Sequence, residues 1–269
     1  MRKTEDIRLD RITKKAWDLN WQDISIKQIL EIFKYPRVKK QIKIFRKYIP
    51  NNVKILEGGC GLGPYVLYFK NLNYDITGLD YNYRPLKKVK DYRSDINLTC
   101  GDVNDIPFMD NSFGCYISLG VIEHFSAGPE QALSEAYRIL QENSIFILAV
   151  ARFSIFHKIK LPIDIIKKNR YLRKLYKKNK KEHYWQQYFG INELAQMLKK
   201  RRFSILKILP IDHEYSLINF SSFFRRRNSY DAVNDFGCRL ANLCERHMPW
   251  ATAGSLLIIC RKTQKISTI

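Results

Sequence analysis

The stretch that decides the fold is the run Leu56-Glu57-Gly58-Gly59-Cys60-Gly61-Leu62-Gly63. It comes directly after the short apolar run at 53–56 and ahead of a helical pattern at 65–69. Three of its glycines alternate with other residues, at Gly59, Gly61 and Gly63. Glycine adopts backbone angles that other residues resist, and its missing side chain lets a ligand approach the backbone closely. The pattern therefore predicts a strand, a tight ligand-binding loop and a helix in succession.

The spacing of this loop argues against a dinucleotide. A dinucleotide-binding loop has the pattern G-x-G-x-x-G, but counted from Gly61 the position of its third glycine is held by Val66. Glu57 stands as an acid at the end of the strand, which suits a ligand that carries positive charge. Taken alone, a glycine loop is weak evidence for any particular ligand.

Two further acids follow the next two predicted strands. Asp80 ends the second strand, 21 positions beyond Gly59, where a carboxylate can accept hydrogen bonds from both hydroxyls of a ribose. Asp102 follows the third strand, and its carboxylate can accept from an adenine amino group while the Val103 backbone N–H donates to the ring. Each acid by itself is more typical of a helix N-cap. Together with the glycine loop, the three acids predict a cofactor site.

Short apolar runs alternate with helical stretches from residue 53 onward. They occur at 53–56, 74–79, 97–100, 115–119, 145–150, 203–209 and 254–260. Strands that alternate with helices favour βαβ units, so the sequence predicts an α/β fold with a doubly wound, parallel sheet.

The same pattern divides the chain into two parts. Residues 1–50 have helical spacing and are predicted to cover the sheet, and residues 51–269 form the cofactor-binding domain. Two irregular stretches, at about 151–188 and 211–250, interrupt that domain as insertions. Because ligands bind beyond the carboxyl ends of parallel strands, we expect these insertions to form a cap over the substrate.

Three runs outside the glycine loop carry a family resemblance. They are Ile106-Pro107-Phe108-Met109-Asp110-Asn111-Ser112-Phe113, Ser118-Leu119-Gly120-Val121-Ile122-Glu123-His124-Phe125 and Ala132-Leu133-Ser134-Glu135-Ala136-Tyr137-Arg138-Ile139-Leu140. With the loop, they make the stretch from about 53 to 150 resemble the class I, Rossmann-like methyltransferases that use S-adenosylmethionine (SAM), especially the small-molecule branch that includes ubiquinone and menaquinone methyltransferases. The resemblance implies SAM as the cofactor and a seven-stranded sheet ordered 3-2-1-4-5-7-6 with strand seven antiparallel.

The resemblance also implies a role for each motif residue. The methionine end of SAM would be bound by Glu57, Gly59, Gly61 and Gly63, the ribose by Asp80, and the adenine by Asp102 with Val103. Two positions depart from the family pattern, since residues 141–144 replace a common Pro-Gly-Gly and Arg202-Phe203 replaces a common Gly-Phe. Both lie away from the predicted cofactor site, so they bear on loop geometry more than on activity.

A proton acceptor is optional for methyl transfer from a sulfonium, which depends mainly on alignment. His124, after the fourth strand, is the candidate because imidazole titrates near neutral pH. The alternative is that Glu123 and His124 only cap and orient the next helix. His183 and Tyr184 are candidates to line the acceptor pocket, although aromatic residues there are more typical of packing. The six cysteines form no C-x-x-C pair, so we predict no metal site.

The excess of basic over acidic residues is relevant to the kind of partner that the protein binds. The chain has 47 Lys and Arg residues against 26 Asp and Glu residues, a net charge of +21. Its basic segment from Lys158 to Lys181 has apolar residues at helical spacing, which suits an anionic membrane surface or another polyanion. A lysine-rich composition unrelated to binding, with a solvated helix face, explains the charge equally well.

These observations favour a SAM-dependent enzyme that methylates a small-molecule or lipid-linked acceptor. The alternatives are an RNA methyltransferase that holds phosphates with the basic patch, and a SAM-binding protein without turnover. No apolar window reaches the length of a membrane span, and the N-terminus lacks the apolar core of a signal peptide. We therefore expect a cytoplasmic protein with peripheral contact at a membrane surface.

Overall fold

The computed structural model describes residues 4–160, 186–227, 229 and 231–264. Its centre is one sheet of seven strands: β1 (Lys54–Gly58), β2 (Asp75–Asp80), β3 (Asn97–Cys100), β4 (Phe113–Leu119), β5 (Leu140–Ala151), β6 (Phe203–Ile211) and β7 (Ser255–Lys262). The strands lie in the order β3-β2-β1-β4-β5-β7-β6. The pairs from β3 to β5 are parallel, and β7 is antiparallel to both of its neighbours. The predicted fold class and strand order are confirmed.

The register of the strands places several of their carboxyl ends along one edge of the sheet. β7 runs opposite to β5 and β6, so its first residue, Ser255, pairs with the last residues of both, Ala151 and Ile211. The carboxyl ends of β1 and β4 reach the same edge because these strands are parallel to β5. We call this side of the sheet the carboxyl edge. Ligands of doubly wound sheets bind outside such an edge.

Helices cover both faces of the sheet. They are α1 (Thr4–Gln22), α2 (Ile26–Leu30), α3 (Pro36–Tyr48), α4 (Pro64–Asn71), α5 (Tyr83–Tyr92), α6 (Glu130–Ile139), α7 (Ile191–Lys200), α8 (His213–Phe220), α9 (Asp235–His247) and α10 (Pro249–Thr252). Successive side chains of a strand point to opposite faces, so Ile55 packs with the core of α2 to α5 while Leu56 packs with the core of α6 and α7. The sheet thus has a buried layer on each side.

The N-terminal helices begin where local sequence favours a helix start. Ser25 and Gln28 form a capping box, with the Gln28 N–H donating to Ser25 Oγ at 3.2 Å and the Ser25 N–H donating to Gln28 Oε1 at 2.8 Å. Pro36 occupies the first turn of α3, where a missing N–H costs nothing.

The stretch at 211–250 contains α8 and α9, which contact each other. The sequence pattern suggested an irregular insertion here, and the structure shows two helices packed on each other. Helix α9 buries only Gly237, Ala241 and Cys244, which are small and leave little apolar periodicity to detect. Across the ranges that the structure describes, none of the helices has the length and apolar character needed to cross a membrane.

Candidate functional site

The glycine loop after β1 turns in the left-handed region of backbone space. Gly59, Gly61 and Gly63 have φ values of +73°, +54° and +58°. The N–H of Gly59 donates to the Leu79 carbonyl at 2.7 Å, which ties the loop to β2. A side chain on Gly61 would start 2.8 Å from the ring of Trp21, so the loop and α1 approach each other too closely for any other residue.

This loop borders a cavity of about 230 Å³, which we call the first cavity. Five of the predicted cofactor residues line it, namely Glu57, Gly59, Asp80, Asp102 and Val103. Gly61 and Gly63 instead shape the loop: the N–H of Gly61 donates to Asp80 Oδ2 at 2.8 Å, and Gly63 precedes the first turn of α4. The structure thus brings the glycine loop and the three acids, from three separate strand ends, around one space.

Asp80 is buried and oriented by its own backbone neighbourhood. Its Oδ1 accepts from the Asn82 N–H at 2.8 Å, and its Oδ2 accepts from Gly61. Burial raises its pKa, and these two backbone hydrogen bonds oppose that effect. Since each carboxylate oxygen has two acceptor sites, Asp80 retains capacity for two more hydrogen bonds.

Asp102 is more exposed than Asp80 and is held in place by Asn104. Its Oδ1 accepts from the backbone N–H and the side-chain amide of Asn104, at 2.9 and 3.0 Å. Its Oδ2 lies 4.0 Å from Lys14 Nζ. The Asn104 hydrogen bonds therefore orient the Asp102 carboxylate at the wall of the first cavity, beside Val103.

Glu57 is the buried acid of the loop. Burial raises its pKa to about 8, against the opposing effect of a hydrogen bond from the Val66 backbone N–H. Its Oε2 has no hydrogen-bond partner among the residues that the structure describes. A buried, unpartnered carboxylate is costly unless a positive group approaches it. This wall of the first cavity therefore fits the positively charged end of a ligand such as SAM.

Helix α1 forms a roof over the first cavity that the sequence did not reveal. Trp17 and Trp21, four residues apart on the helix and stacked at 5.4 Å, line the cavity together with Thr13 and Lys14. The end of the helix is held by Lys88, whose Nζ donates to the carbonyls of Trp21 and Gln22 at 2.8 and 2.7 Å. The available signal was the pair of tryptophans at i and i+4 on a mainly polar helix.

His124 and Glu123 lie in a short 3-10 turn (Ile122–His124) after β4. The His124 ring meets the Trp17 ring edge-on, with 5.4 Å between ring centres. The Glu123 Oε1 accepts from the Ala151 N–H at 2.9 Å, while its Oε2 has no hydrogen-bond partner in the described part of the chain. Burial raises the pKa of Glu123 to about 7, although backbone hydrogen bonds oppose the shift.

A second cavity, also of about 230 Å³, adjoins the first along the carboxyl edge. Residues at the ends of β4, β5 and β6 and at the start of β7 line it, as do Glu123 and Gln186. The two cavities share five wall residues: Trp17, Tyr65, Leu119, Gly120 and His124. One ligand in each cavity would therefore meet at this shared wall.

A buried ion cluster stands at the far wall of the second cavity. Arg37, from α3, donates through Nη2 to the carboxylate and, at 2.9 Å, to the backbone carbonyl of Asp231. Its other nitrogens lie 3.6 Å from Asp212 Oδ1 and 3.4 Å from Glu214 Oε2. Burial disfavours the charge on Arg37, yet the carboxylates, Asp231 foremost, raise its pKa overall. No sequence motif indicates this cluster, because its members are up to 194 positions apart.

Several sequence predictions concern residues outside the described ranges. His183 and Tyr184, and residues 161–181 of the basic segment, are among them. Within the ranges that are described, no group of three or more His, Cys, Asp or Glu residues is arranged to hold a metal ion.

Comparisons with known proteins identify the domain. Residues 56–148 match the family described as "Methyltransferase domain". The demethylmenaquinone methyltransferase of Staphylococcus haemolyticus is 23% identical over 196 residues, which are 63% of this chain and 78% of that protein. The human "Probable tRNA methyltransferase 9B" is 32% identical over 108 residues, 39% of this chain and 22% of that protein. The chain spans less than half the length of most of the curated relatives that it matches.

A solved structure supports the fold. The complex between the Haloferax volcanii Trm112 methyltransferase activator and a methyltransferase contains a chain that superposes with a TM-score of 0.60 at 16% identity, covering 92% of this chain and 98% of that one. Together with the sheet order, these matches show that the chain carries a class I SAM-dependent methyltransferase domain. For this domain, the predicted enzyme class, a methyltransferase, and the predicted cofactor, SAM, are confirmed.

Proposed function

We propose that the protein transfers a methyl group from SAM in the first cavity to a small-molecule or lipid-linked acceptor in the second. The observation that carries this proposal is the wall of five residues that the two cavities share. Methyl transfer is a displacement between two aligned ligands, and holding them in contact can account for about 7 to 11 kcal/mol of the barrier. Two adjoining cavities of similar size at the carboxyl edge supply that alignment.

The first cavity has the groups that SAM needs. Bound SAM would supply an electrophilic methyl group on a positively charged sulfur. Glu57, with its unpartnered Oε2, would bind the charged methionine end. Asp80 would accept from the ribose hydroxyls through its remaining acceptor sites, and Asp102 with the Val103 N–H would bind the adenine. Gly59, Gly61 and Gly63 would let the backbone approach the ligand.

His124 remains our candidate for the proton acceptor. It lines both cavities and therefore stands beside the reacting groups in this proposal. Replacement by alanine should lower the turnover number by about 100-fold if His124 takes a proton from the acceptor. A His124→Ala enzyme with unchanged turnover would remove it from this role and leave it as a packing partner of Trp17.

The acceptor class is a choice between a small molecule and RNA. The net charge of +21 and the relative named as a tRNA methyltransferase favour RNA. The carboxylates of Glu123, Asp212 and Asp231 along the second cavity oppose it, because they would repel phosphate groups there. We therefore propose the small-molecule or lipid-linked acceptor, and we extend the proposal to a cytoplasmic enzyme with peripheral contact at an anionic membrane surface.

Incubation with methyl-labelled SAM and fractionated cell extract tests this proposal. We expect label in the small-molecule or lipid fraction and none in RNA, with the Asp80→Ala variant as a control that should lose the labelling. Label in the RNA fraction would support the alternative acceptor. Tight SAM binding without labelling of any fraction would support a SAM-binding protein without turnover.

A further inference from the structure

We propose that the second cavity selects an acceptor that carries a positively charged amine. This inference rests on the proposed function, and it names the substrate class that the second cavity would bind.

The charged side chains along the described wall of the second cavity have a negative balance. Three carboxylates, Glu123, Asp212 and Asp231, stand there against one guanidinium, Arg37. Arg37 is surrounded by three carboxylates: Asp231 accepts hydrogen bonds from it, while Asp212 and, from outside the cavity, Glu214 lie within ion-pair distance, although Nε makes no hydrogen bond among the described residues. Its charge is therefore unavailable to an anionic acceptor. This local balance is opposite to the net charge of +21 of the chain.

The positive charge of Arg37 does not fully compensate the carboxylates around it. Burial raises the pKa of Asp231, which lines the cavity, and the nearby Arg37 opposes this shift without cancelling it. A carboxylate whose pKa stays raised beside a guanidinium would be further stabilised in its charged form by a second cation. An ammonium group in the cavity would be that cation.

Glu123 provides an independent sign of a ligand. Its side chain is only 3% exposed, it lines the second cavity, and its Oε2 has no hydrogen-bond partner among described residues. Its Oε1 is held by the Ala151 N–H, so the orientation of the carboxylate is fixed. A buried acceptor atom without a donor destabilises the folded protein, and more so when it is charged. An amine N–H of the acceptor would satisfy it.

Asp212 lines the second cavity, and its backbone is in the left-handed region. Its φ is +61°, a left-handed conformation that is uncommon for residues other than glycine. It precedes α8, yet its side chain makes no capping hydrogen bond to that helix. Instead, Asp212 Oδ1 accepts from Gln41 Nε2 at 3.0 Å, and Gln41 Oε1 accepts from the Tyr65 hydroxyl at 3.0 Å. These two hydrogen bonds connect the Asp212 carboxylate, through Gln41, to Tyr65 in the wall that the two cavities share.

The remaining walls suit the organic part of an amine. Trp17, Phe45 and Tyr65 line the second cavity, and aromatic faces attract both apolar groups and cations. The cavity therefore combines aromatic walls with a carboxylate-rich end. This combination discriminates against carboxylates and phosphates, and favours amines over neutral alcohols of the same shape.

The test compares the binding of matched probes to the whole protein with S-adenosylhomocysteine (SAH) present. The probes are 2-phenylethylamine, 2-phenylethanol and phenylacetate, with butylamine, butanol and butyrate as an aliphatic set, all followed by ligand-observed NMR. We expect the amine of at least one set to bind at least about tenfold more tightly than its alcohol, and the carboxylates to bind least. Equal binding of amine and alcohol, preference for a carboxylate, or no amine binding in either set would overturn the inference.

Two variants connect that preference to the cavity. Glu123→Gln keeps the shape of the side chain and removes its charge, so we expect amine affinity to fall about ten- to a hundredfold. Asp235→Asn, on the exposed start of α9, is the matched control and should leave amine affinity within about twofold. An unchanged amine affinity in Glu123→Gln, with a melting temperature near that of the wild type, would also overturn the inference.

SAH affinity in the same samples separates the two proposals. If SAH fails to bind, the proposed function is wrong, whatever the probes do. If SAH binds and the amines do not, only the substrate class is wrong. Because SAH binding is read by calorimetry and probe binding by NMR, neither result depends on turnover.

Discussion

The two cavities are built from sequence in opposite ways. The first is assembled mainly from short motifs at the ends of consecutive strands, with Glu57, Asp80 and Asp102 within 46 residues of chain. The second joins Arg37 from α3 with Asp212 and Asp231, which are more than 170 positions further along the chain. Local motifs can therefore specify a cofactor site, whereas an acceptor site depends on how distant helices pack around the sheet.

Substitution of Arg37 should have the largest effect, a loss of folding stability from the ion cluster beside the second cavity. Arg37→Met would leave three carboxylates buried without their cation, and breaking a buried ion pair costs about 3 to 5 kcal/mol. Urea unfolding measures this loss. Lys40→Met, one turn further along α3, is the control, because its exposed pair with Glu245 should contribute less than about 1 kcal/mol. Similar small losses in both variants would contradict the role of the cluster as the support of the second cavity.

Asp80 should show the largest effect on cofactor binding. Asp80→Ala removes the proposed ribose acceptor and the partner of the Gly61 N–H, so SAH affinity should fall about a hundredfold, on the order of 2.7 kcal/mol. Calorimetry with SAH measures this change. Asp75→Ala alters an exposed acid at the other end of β2 and should leave affinity unchanged. If the two variants bind SAH equally well, Asp80 does not hold the cofactor.

Alanine substitutions at Gly61 and Gly63 should lower SAH affinity by different amounts, and this difference should be smaller than the effect of Asp80→Ala. Both Gly61→Ala and Gly63→Ala place a side chain at positive φ, which costs about 1 to 2 kcal/mol. Only Gly61 would also bring that side chain within 2.8 Å of Trp21, whereas the nearest atom to a side chain at Gly63 is 3.6 Å away. SAH affinity should therefore fall about tenfold further in Gly61→Ala, on the order of 1.4 kcal/mol. Adding Trp21→Ala should remove the difference, and equal losses without it would contradict the close contact of loop and α1.

Glu57 should show the smallest effect, the release of at most about one proton when SAM binds. With a pKa of about 8 it is mostly protonated at pH 7, and a nearby positive charge would lower that pKa. Binding of SAM at pH 7 should then release up to about one proton, and SAM affinity should rise as pH approaches 8. SAH lacks the sulfonium charge and should release less. Calorimetry in buffers of different ionisation enthalpy measures the protons, and Glu57→Gln should abolish the difference between the two ligands.

Glu57 also links pH to folding. Because its pKa is raised in the folded state, the folded protein binds more protons than the unfolded chain between about pH 4.5 and 8. The contribution of this group to stability is therefore greatest at low pH and is lost as pH rises through that range. Glu57→Gln should flatten the dependence of the unfolding free energy on pH. The same slope in both proteins would show that Glu57 is not buried as an acid.

The sequence predicted much of the sheet and of the first cavity, but little of the second cavity. The sheet order and the loop glycines were predictable because strand alternation and left-handed turns have local signatures, as at Gly59 and Gly63. The roof formed by Trp17 was not, since a helix pattern does not say which ligand cavity its residues face. Asp212 and Asp231 look like ordinary polar residues in the sequence, and only the packing of α3 against the chain around α8 brings them to Arg37.

In our proposal, a cofactor cavity and an acceptor cavity meet at the wall formed by Trp17, Tyr65, Leu119, Gly120 and His124. A crystal structure of the protein with SAH tests it most directly. We expect SAH in the first cavity, with its ribose hydroxyls on Asp80 and its sulfur facing the shared wall. SAH bound elsewhere, or bound with its sulfur turned away from the second cavity, would contradict it.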